Sequence, residues 1–187
     1  MPTLFIIAGP NGAGKTTAAY TVFPDILGVM QFVNADEIAR GISPFDPESV
    51  ALQAGKAMLN RVDELITNKS DFVLETTLSG RAYVGLIEKA KVAGYFVKLI
   101  FVYVSSADVS VKRVARRVSK GGHHIPEEII RRRYILGLKN FVHLFKDRVD
   151  SWELYENEYS FPLLVAKSEN GTVHIFEPDT WANICSY

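Results

Sequence analysis

The stretch Thr3-Leu-Phe-Ile-Ile-Ala-Gly-Pro-Asn-Gly-Ala-Gly-Lys-Thr-Thr17 decides the fold. Its first half, TLFIIA, is an unbroken apolar run, the pattern of a parallel strand covered on both faces by helices. Its second half satisfies GxxxxGK[ST] in full, from Gly9 to Thr16, and TTAAY after it reads as a helix start. A strand that passes through such a loop into a helix is a phosphate site for a physical reason. Small residues let backbone N–H groups curl around an anion at the positive end of a helix. The candidate nucleotide-binding residues are therefore Gly9, Asn11, Gly12, Ala13, Gly14, Lys15, Thr16 and Thr17. The Lys15 ammonium is expected to reach β- and γ-phosphate oxygens and the Thr16 hydroxyl to ligate a metal, which makes ATP and Mg2+ the expected cofactors.

Outward from this stretch, strand and helix signals alternate. VMQFVN (29–34), DFVLETT (71–77) and VKLIFVYVS (97–105) are strand candidates. Asp46 and Pro47 suit a helix start, and Val50, Ala54, Ala57, Met58, Val62, Leu65 and Ile66 form an apolar stripe behind them. Arg81 to Ala93 reads as helix with Gly94 at its end, and so does Val109 to Val118. After the loop SKGGHHIP a further helix carries Ile130, Tyr134, Leu138, Phe141 and Phe145 on one stripe. SWELYEN reads as a packing and turn element, and FPLLVAK and TVHIF, separated by SENG, as a terminal strand or hairpin. The alternation predicts an α/β, three-layer P-loop kinase fold: a mostly parallel central sheet, helices on both faces and a helical lid around 111–139. No repeat or low-complexity linker divides the chain, so 1–187 reads as a single domain.

Composition narrows the classes. Of 187 residues, 48% are hydrophobic and 22% charged, which excludes a disordered or fibrous chain. The 21 basic side chains are balanced by 21 acidic ones, against a packaging role on nucleic acid, and no stable nucleic-acid complex is expected. The one cysteine, Cys185, forms no intrachain disulfide and favours a reducing compartment. LFIIAG is too short to span a bilayer, so a cytoplasmic protein without membrane association is expected. Neutrality hides a local bias: residues 111–139 carry nine Lys and Arg against Glu127 and Glu128. That segment is where an anion would be handled.

A phosphate loop alone does not separate motors, switches and kinases. The guanine-reading tetrapeptide NKxD is absent, and an arginine-rich helix–loop–helix after the fourth strand is like the lids of small kinases, which close over the transferring phosphoryl group. Asp36 follows the second strand at the sheet's carboxyl edge, where a carboxylate accepts or orients the proton of an acceptor hydroxyl, or else caps the helix beginning EIAR. Glu75 ends a strand too apolar to hold a carboxylate without a partner, so it is assigned to acceptor or Mg2+-water contact, or to an internal network. Thr77 and Arg81 extend that contact. His123 and His124 lack the companions of a zinc site and read as loop, with His123 a candidate lid-tip contact.

Taken together, GPNGAGKTT, FVNADEIARGISP, VLETTLSG and GGHHIPEEIIRRRY resemble the zeta-toxin family of P-loop kinases, from the first strand to about Pro162. The resemblance implies ATP/Mg2+-dependent phosphorylation of a hydroxyl, in characterised members that of UDP-N-acetylglucosamine, and a small antitoxin as protein partner. It matches Lys15 and Thr16 to the ATP-site lysine and metal hydroxyl, Asp36 to the catalytic aspartate, and Glu75 and Thr77 to the substrate-binding Glu-x-Thr. The family's arginine two residues after that threonine is Ser79 here, which leaves Arg81 as the nearest replacement. It also implies two lid arginines, one per helix. Arg117 is chosen on the first, with Arg116 as rival, and Arg132 on the second, with Arg131 and Arg133 as rivals. The expected activity is phosphoryl transfer to a small-molecule hydroxyl acceptor, with a UDP-N-acetyl amino sugar first. The alternatives are a nucleotide-gated protein or RNA interaction module, or a polynucleotide or nucleoside kinase.

Overall fold

The structure, a computed structural model, describes residues 1–20, 28–122, 124–158 and 161–187. Five strands run parallel: β1 (Thr3–Ala8), β2 (Phe32–Asn34), β3 (Phe72–Thr76), β4 (Phe96–Tyr103) and β5 (Ser151–Glu156). Two more, β6 (Leu163–Glu169) and β7 (Thr172–Ile175), continue the sheet as an antiparallel hairpin. The order is β2-β3-β1-β4-β5-β6-β7, so the loops after β1, β2, β3 and β4 all emerge at one carboxyl edge. The helices are α1 (15–20 of those described), α2 (Ala35–Ile42), α3 (Ala51–Thr67), α4 (Tyr83–Val92), α5 (Ala107–Val118), α6 (Glu127–Asn140) and α7 (Pro178–Cys185).

Successive strand residues point to opposite faces, and β1 shows what each face meets. Leu4, Ile6 and Ala8 join the larger core, to which α3 supplies Met58, Val62 and Leu65 and α6 supplies Leu138. Ile7 and Phe5 face the other way, toward Ala18 and Ala19 of α1. Double coverage is why TLFIIA carries no polar residue after Thr3. The lid has a small core of its own, in which Val114 of α5 packs with Ile125 and with Ile130 of α6. This contact ties the two arginine-bearing helices to each other.

Several expected boundaries shift. The strand read over 29–34 is confined to Phe32–Asn34, and the helix expected from Arg81 begins at Tyr83. The largest correction is SWELYEN. Rather than a turn, it forms β5, parallel to β4 from Lys98↔Ser151 to Tyr103↔Glu156. Trp152 and Leu154 alternate inward while Glu153 and Tyr155 face the half-exposed side, where Glu153 pairs with Lys98 at 2.6 Å. Burying one face of the strand is thus compatible with its acidic composition. Trp152 stacks on Trp181 of α7 at 5.4 Å and meets Phe141 edge-on at 5.5 Å, fastening the C-terminal helix to the sheet.

Candidate active site

The carboxyl edge holds a cleft of about 460 Å3 whose lining includes Lys15, Thr16, Asp36, Glu75, Arg117 and Arg133. Of the expected loop residues, Asn11, Gly12, Gly14, Lys15, Thr16 and Thr17 line it, whereas Gly9 and Ala13 lie buried beneath. Gly9 is there because nothing larger fits. At φ +141° an added Cβ would stand 1.8 Å from the Val102 carbonyl oxygen of the neighbouring strand. The Asn11 side chain is 4% exposed and its Oδ1 has no partner among the described residues. An amide turned by half a rotation would present its NH2 to an anion in the same place.

Lys15 is 6% exposed, donates to the Pro10 carbonyl at 3.0 Å and stands 3.9 Å from Glu75. Burial pushes its ammonium below the usual lysine range, opposed chiefly by the carboxylates of Glu75 and Asp36. Thr16 donates its hydroxyl to Glu75, at 2.9 and 3.0 Å from the two carboxylate oxygens. Burial pushes Glu75 above the usual glutamate range, and the opposing influences are Lys15 and hydrogen bonds from Thr16 and Asn34. Glu75 therefore sits at the Thr16 hydroxyl, and in this structure its contact is with the phosphate loop itself. β1 and β3 are adjacent, with Ile7 beside Glu75, which brings strand end and loop together.

Asp36 lies in the first turn of α2, exposed at the mouth of the cleft. It does not cap the helix. Asn34 does, accepting from the Asp36 and Glu37 N–H groups at 2.8 and 3.4 Å, and the Asp36 carboxylate is left to the cleft. Thr77 also lines the cleft, with its hydroxyl 2.9 Å from that of Ser79. The turn that carries them is braced from below: Leu78 at φ +56° donates to Thr76 Oγ1 at 3.0 Å, and Asn140 of α6 donates to the Leu78 carbonyl at 2.9 Å.

Arg81 does not join them. Because α4 begins only at Tyr83, Arg81 stays exposed on the outside of the preceding turn, and Tyr83 takes the place on the cleft wall. On the lid, Arg113 and Arg117 of α5 line the cleft and Arg116 does not. Burial beside Arg40 lowers the Arg117 guanidinium from its usual range, and Asp36 counters this. On α6 the arginine in the cleft is Arg133, not Arg132. The buried positions Ile130, Tyr134 and Gly137 set the inner stripe, and Arg133 flanks it at three and four residues' distance. Arg132 projects from the opposite side and is exposed. Arg131 is occupied by Asp108 at 2.6 Å and Glu127 at 2.8 Å, while Arg133 pairs with no carboxylate among the described residues. His123 lies outside those residues.

Asn157, just past β5, carries no motif. Its Nδ2 donates to the Ala13 carbonyl at 2.7 Å, and a Cβ on Gly14 would come within 2.5 Å of that nitrogen. The asparagine therefore packs directly against the back of the phosphate loop. Arg40 of α2 also lines the cleft, and the helical spacing of Asp36 and Arg40 was its only signal in the sequence. Among the described residues no group of three or more His, Cys, Asp or Glu could hold a metal ion, and no helix is long and apolar enough to cross a membrane.

Strand order, phosphate loop and arginine-bearing helix pair together define a P-loop kinase-like architecture. Within that class the chain belongs to the Zeta toxin family, whose profile matches residues 1–178. It is 30% identical over 126 residues to an uncharacterized protein of Haemophilus influenzae, covering 67% of this chain and 88% of that one. The AvrRxo1-ORF1:-ORF2 structure with ATP superposes with a TM-score of 0.80 at 18% identity, over 99% of this chain and 64% of that chain. This chain thus spans just under two thirds of that relative's length. The PezAT toxin–antitoxin system of Streptococcus pneumoniae gives 0.67 at 17% identity, over 92% of this chain and 74% of that one. A shikimate kinase from Acinetobacter baumannii gives 0.52 at 15% identity, over 86% of each chain. At these identities the likeness to the solved structures is one of fold.

Proposed function

We propose that the protein is an ATP/Mg2+-dependent phosphotransferase that phosphorylates a hydroxyl of a small metabolite. The observation that carries this reading is the meeting, in one cleft, of a buried and partly compensated Lys15, the Thr16–Glu75 pair, Asp36 and an unpaired Arg133. A cavity with two cation sources on one wall and a carboxylate on the other suits transfer of an anionic group to a proton-bearing oxygen. The residues fit the cofactor: Lys15 and the loop N–H groups would hold the β- and γ-phosphates, and Thr16 with Glu75 would hold Mg2+ or its waters. When bound, ATP and Mg2+ supply the phosphoryl group and neutralise charge on it. Asp36 orients the acceptor hydroxyl and receives its proton, and Arg117 and Arg133 donate to the negative charge that develops on the transferring oxygens. Pinned against each other by Val114 and Ile130, the lid helices keep water from competing as acceptor.

A UDP-N-acetyl amino sugar is the first acceptor to test, on the strength of the family. A small antitoxin-like protein is the partner to test, because the AvrRxo1 and PezAT structures are of two-component systems. ADP release measured across sugar nucleotides, nucleosides and sugar alcohols decides the activity. At least one acceptor is expected to raise turnover well above the water background, and Asp36→Asn to reduce that turnover about a hundredfold or more with ATP affinity retained. A protein that binds ATP while every acceptor leaves turnover at background is not a small-molecule kinase.

A further inference from the structure

Beside the main cleft lies a second chamber of about 110 Å3. The two share one wall, made by Ala35, Asp36, Arg40, Arg117 and Arg133. Past that wall the chamber closes on apolar and small groups, Ala39, Pro47 and Ala51 from the α2–α3 side and Ile125 and Ile129 from the lid side. Its charged lining is three arginines against two carboxylates, Asp36 and Glu48.

Two features show that this excess is not merely a solvated surface. First, Arg131 on the same helix is neutralised by Asp108 and Glu127, while Arg133 pairs with no carboxylate among the described residues. Second, Arg40 is held at the chamber by a near partner alone: its Nη1 lies 3.1 and 3.3 Å from the two oxygens of Glu37, one turn back on the same helix. An i,i+3 pair of half-exposed groups is weak, so an incoming oxyanion competes with it readily. At about 30 Å3 per water the chamber has room for roughly three or four waters, enough for one compact charged head.

We propose that this chamber is the acceptor's anion subsite, in which Arg40 from the body and Arg133 from the lid grip a single phosphoryl or carboxylate group of the acceptor. Asp36, on the shared wall, faces the hydroxyl to be phosphorylated. The substrate class is then an alcohol bearing an oxyanion a few bonds from its reacting hydroxyl. The subsite also gives α2 a second task, since one face of the helix carries both the proton-handling carboxylate and, one turn on, the specificity-determining cation. Charge selection rests here on Arg40 rather than on Arg81, which the fold leaves outside. The proposal rests on the kinase reading for the role of Asp36, but not for the binding of the anion.

The test uses three matched three-carbon alcohols, glycerol 3-phosphate, glycerate and glycerol, titrated calorimetrically into the full chain saturated with Mg2+ and a non-hydrolysable ATP analogue, so that the main phosphate site is filled. At least one of the charged probes is expected to bind tenfold or more tightly than glycerol. Arg40→Ala should abolish that preference while changing affinity for the ATP analogue less than about threefold. Glu37→Gln, which releases Arg40, should tighten the same probe severalfold. Glycerol binding as well as both charged probes, or a preference that survives in Arg40→Ala, overturns the subsite. ADP-release assays on the same three alcohols separate this from the activity. Charged-probe binding that depends on Arg40, with no acceptor turned over in any screen, leaves the subsite standing and overturns the kinase reading. Turnover that ignores both acceptor charge and Arg40 does the reverse.

Discussion

The floor of the cleft and its lid handle charge in opposite ways. On the floor Lys15 is buried, backed by the Pro10 carbonyl and by Glu75, and Glu75 is in turn held by Thr16. Each charge there is stationed by short-range contacts among strand ends that the sheet makes adjacent. On the lid, Arg133 reaches the cleft with no carboxylate partner among the described residues, on a helix held to α5 by the small apolar cluster of Val114, Ile125 and Ile130 and by the Arg131–Asp108 pair. A floor built this way keeps its geometry with or without a ligand, whereas an arginine such as Arg133, with no carboxylate partner among the described residues, gains most of its electrostatic stabilisation from the ligand. The contrast predicts that floor and lid substitutions separate kinetically.

The sharpest test lies within the run Arg131-Arg132-Arg133. On the proposed mechanism Arg133→Ala removes a donor to developing charge, and it is expected to lower kcat about a hundredfold, with the KM for ATP changed much less. Arg132→Ala should change kcat less than twofold. Steady-state kinetics on the two variants check this, and equal effects would mean that the inner stripe of α6 does not select the working arginine. A smaller effect is expected behind the floor. Asn157→Ala deletes the bond to the Ala13 carbonyl, worth about 1 kcal/mol, so the KM for ATP should rise roughly fivefold. The acceptor KM should stay unchanged, which a general loss of folding would not allow.

The smallest expected effect is a pH dependence of stability, and its sign follows from Glu75. Burial raises this group above its ordinary value of 4.5, so the native state holds the proton to higher pH than the unfolded chain does. The associated stability is fully present below pH 4.5 and is lost as pH rises through the elevated native value. Glu75→Gln should flatten that decline, and its advantage over the wild type should grow with pH above that point. Thermal melts between pH 4 and 8 read the slope directly. An unchanged slope would show that Lys15 and Thr16 fully offset the burial.

How far each region is legible in the sequence follows from the same contrast. Lys15, Thr16, Asp36, Glu75 and Thr77 reach the cleft as their positions at strand ends imply, because a parallel sheet delivers all such ends to one edge. SWELYEN concealed a strand, since its acidic residues suggest a surface turn unless the inward Trp152 and Leu154 are read at every second position. Arg81 and Arg132 were misplaced by a helix start and by a helix phase, each a shift of one or two residues.

The sequence by itself determined the α/β class and the phosphate loop, because both rest on local chemistry. An apolar run must be buried on two faces, and Gly9 must lack a Cβ at φ +141°. Tertiary structure alone decided which arginine enters the cleft, that Asn157 supports a loop 144 residues away, and that Arg40 borders a second chamber. Those contacts depend on the rotation of whole helices about their axes and on the register between strands distant in the chain. Such rotations and registers are set by the sum of packing across the core, and no short stretch of sequence carries that sum.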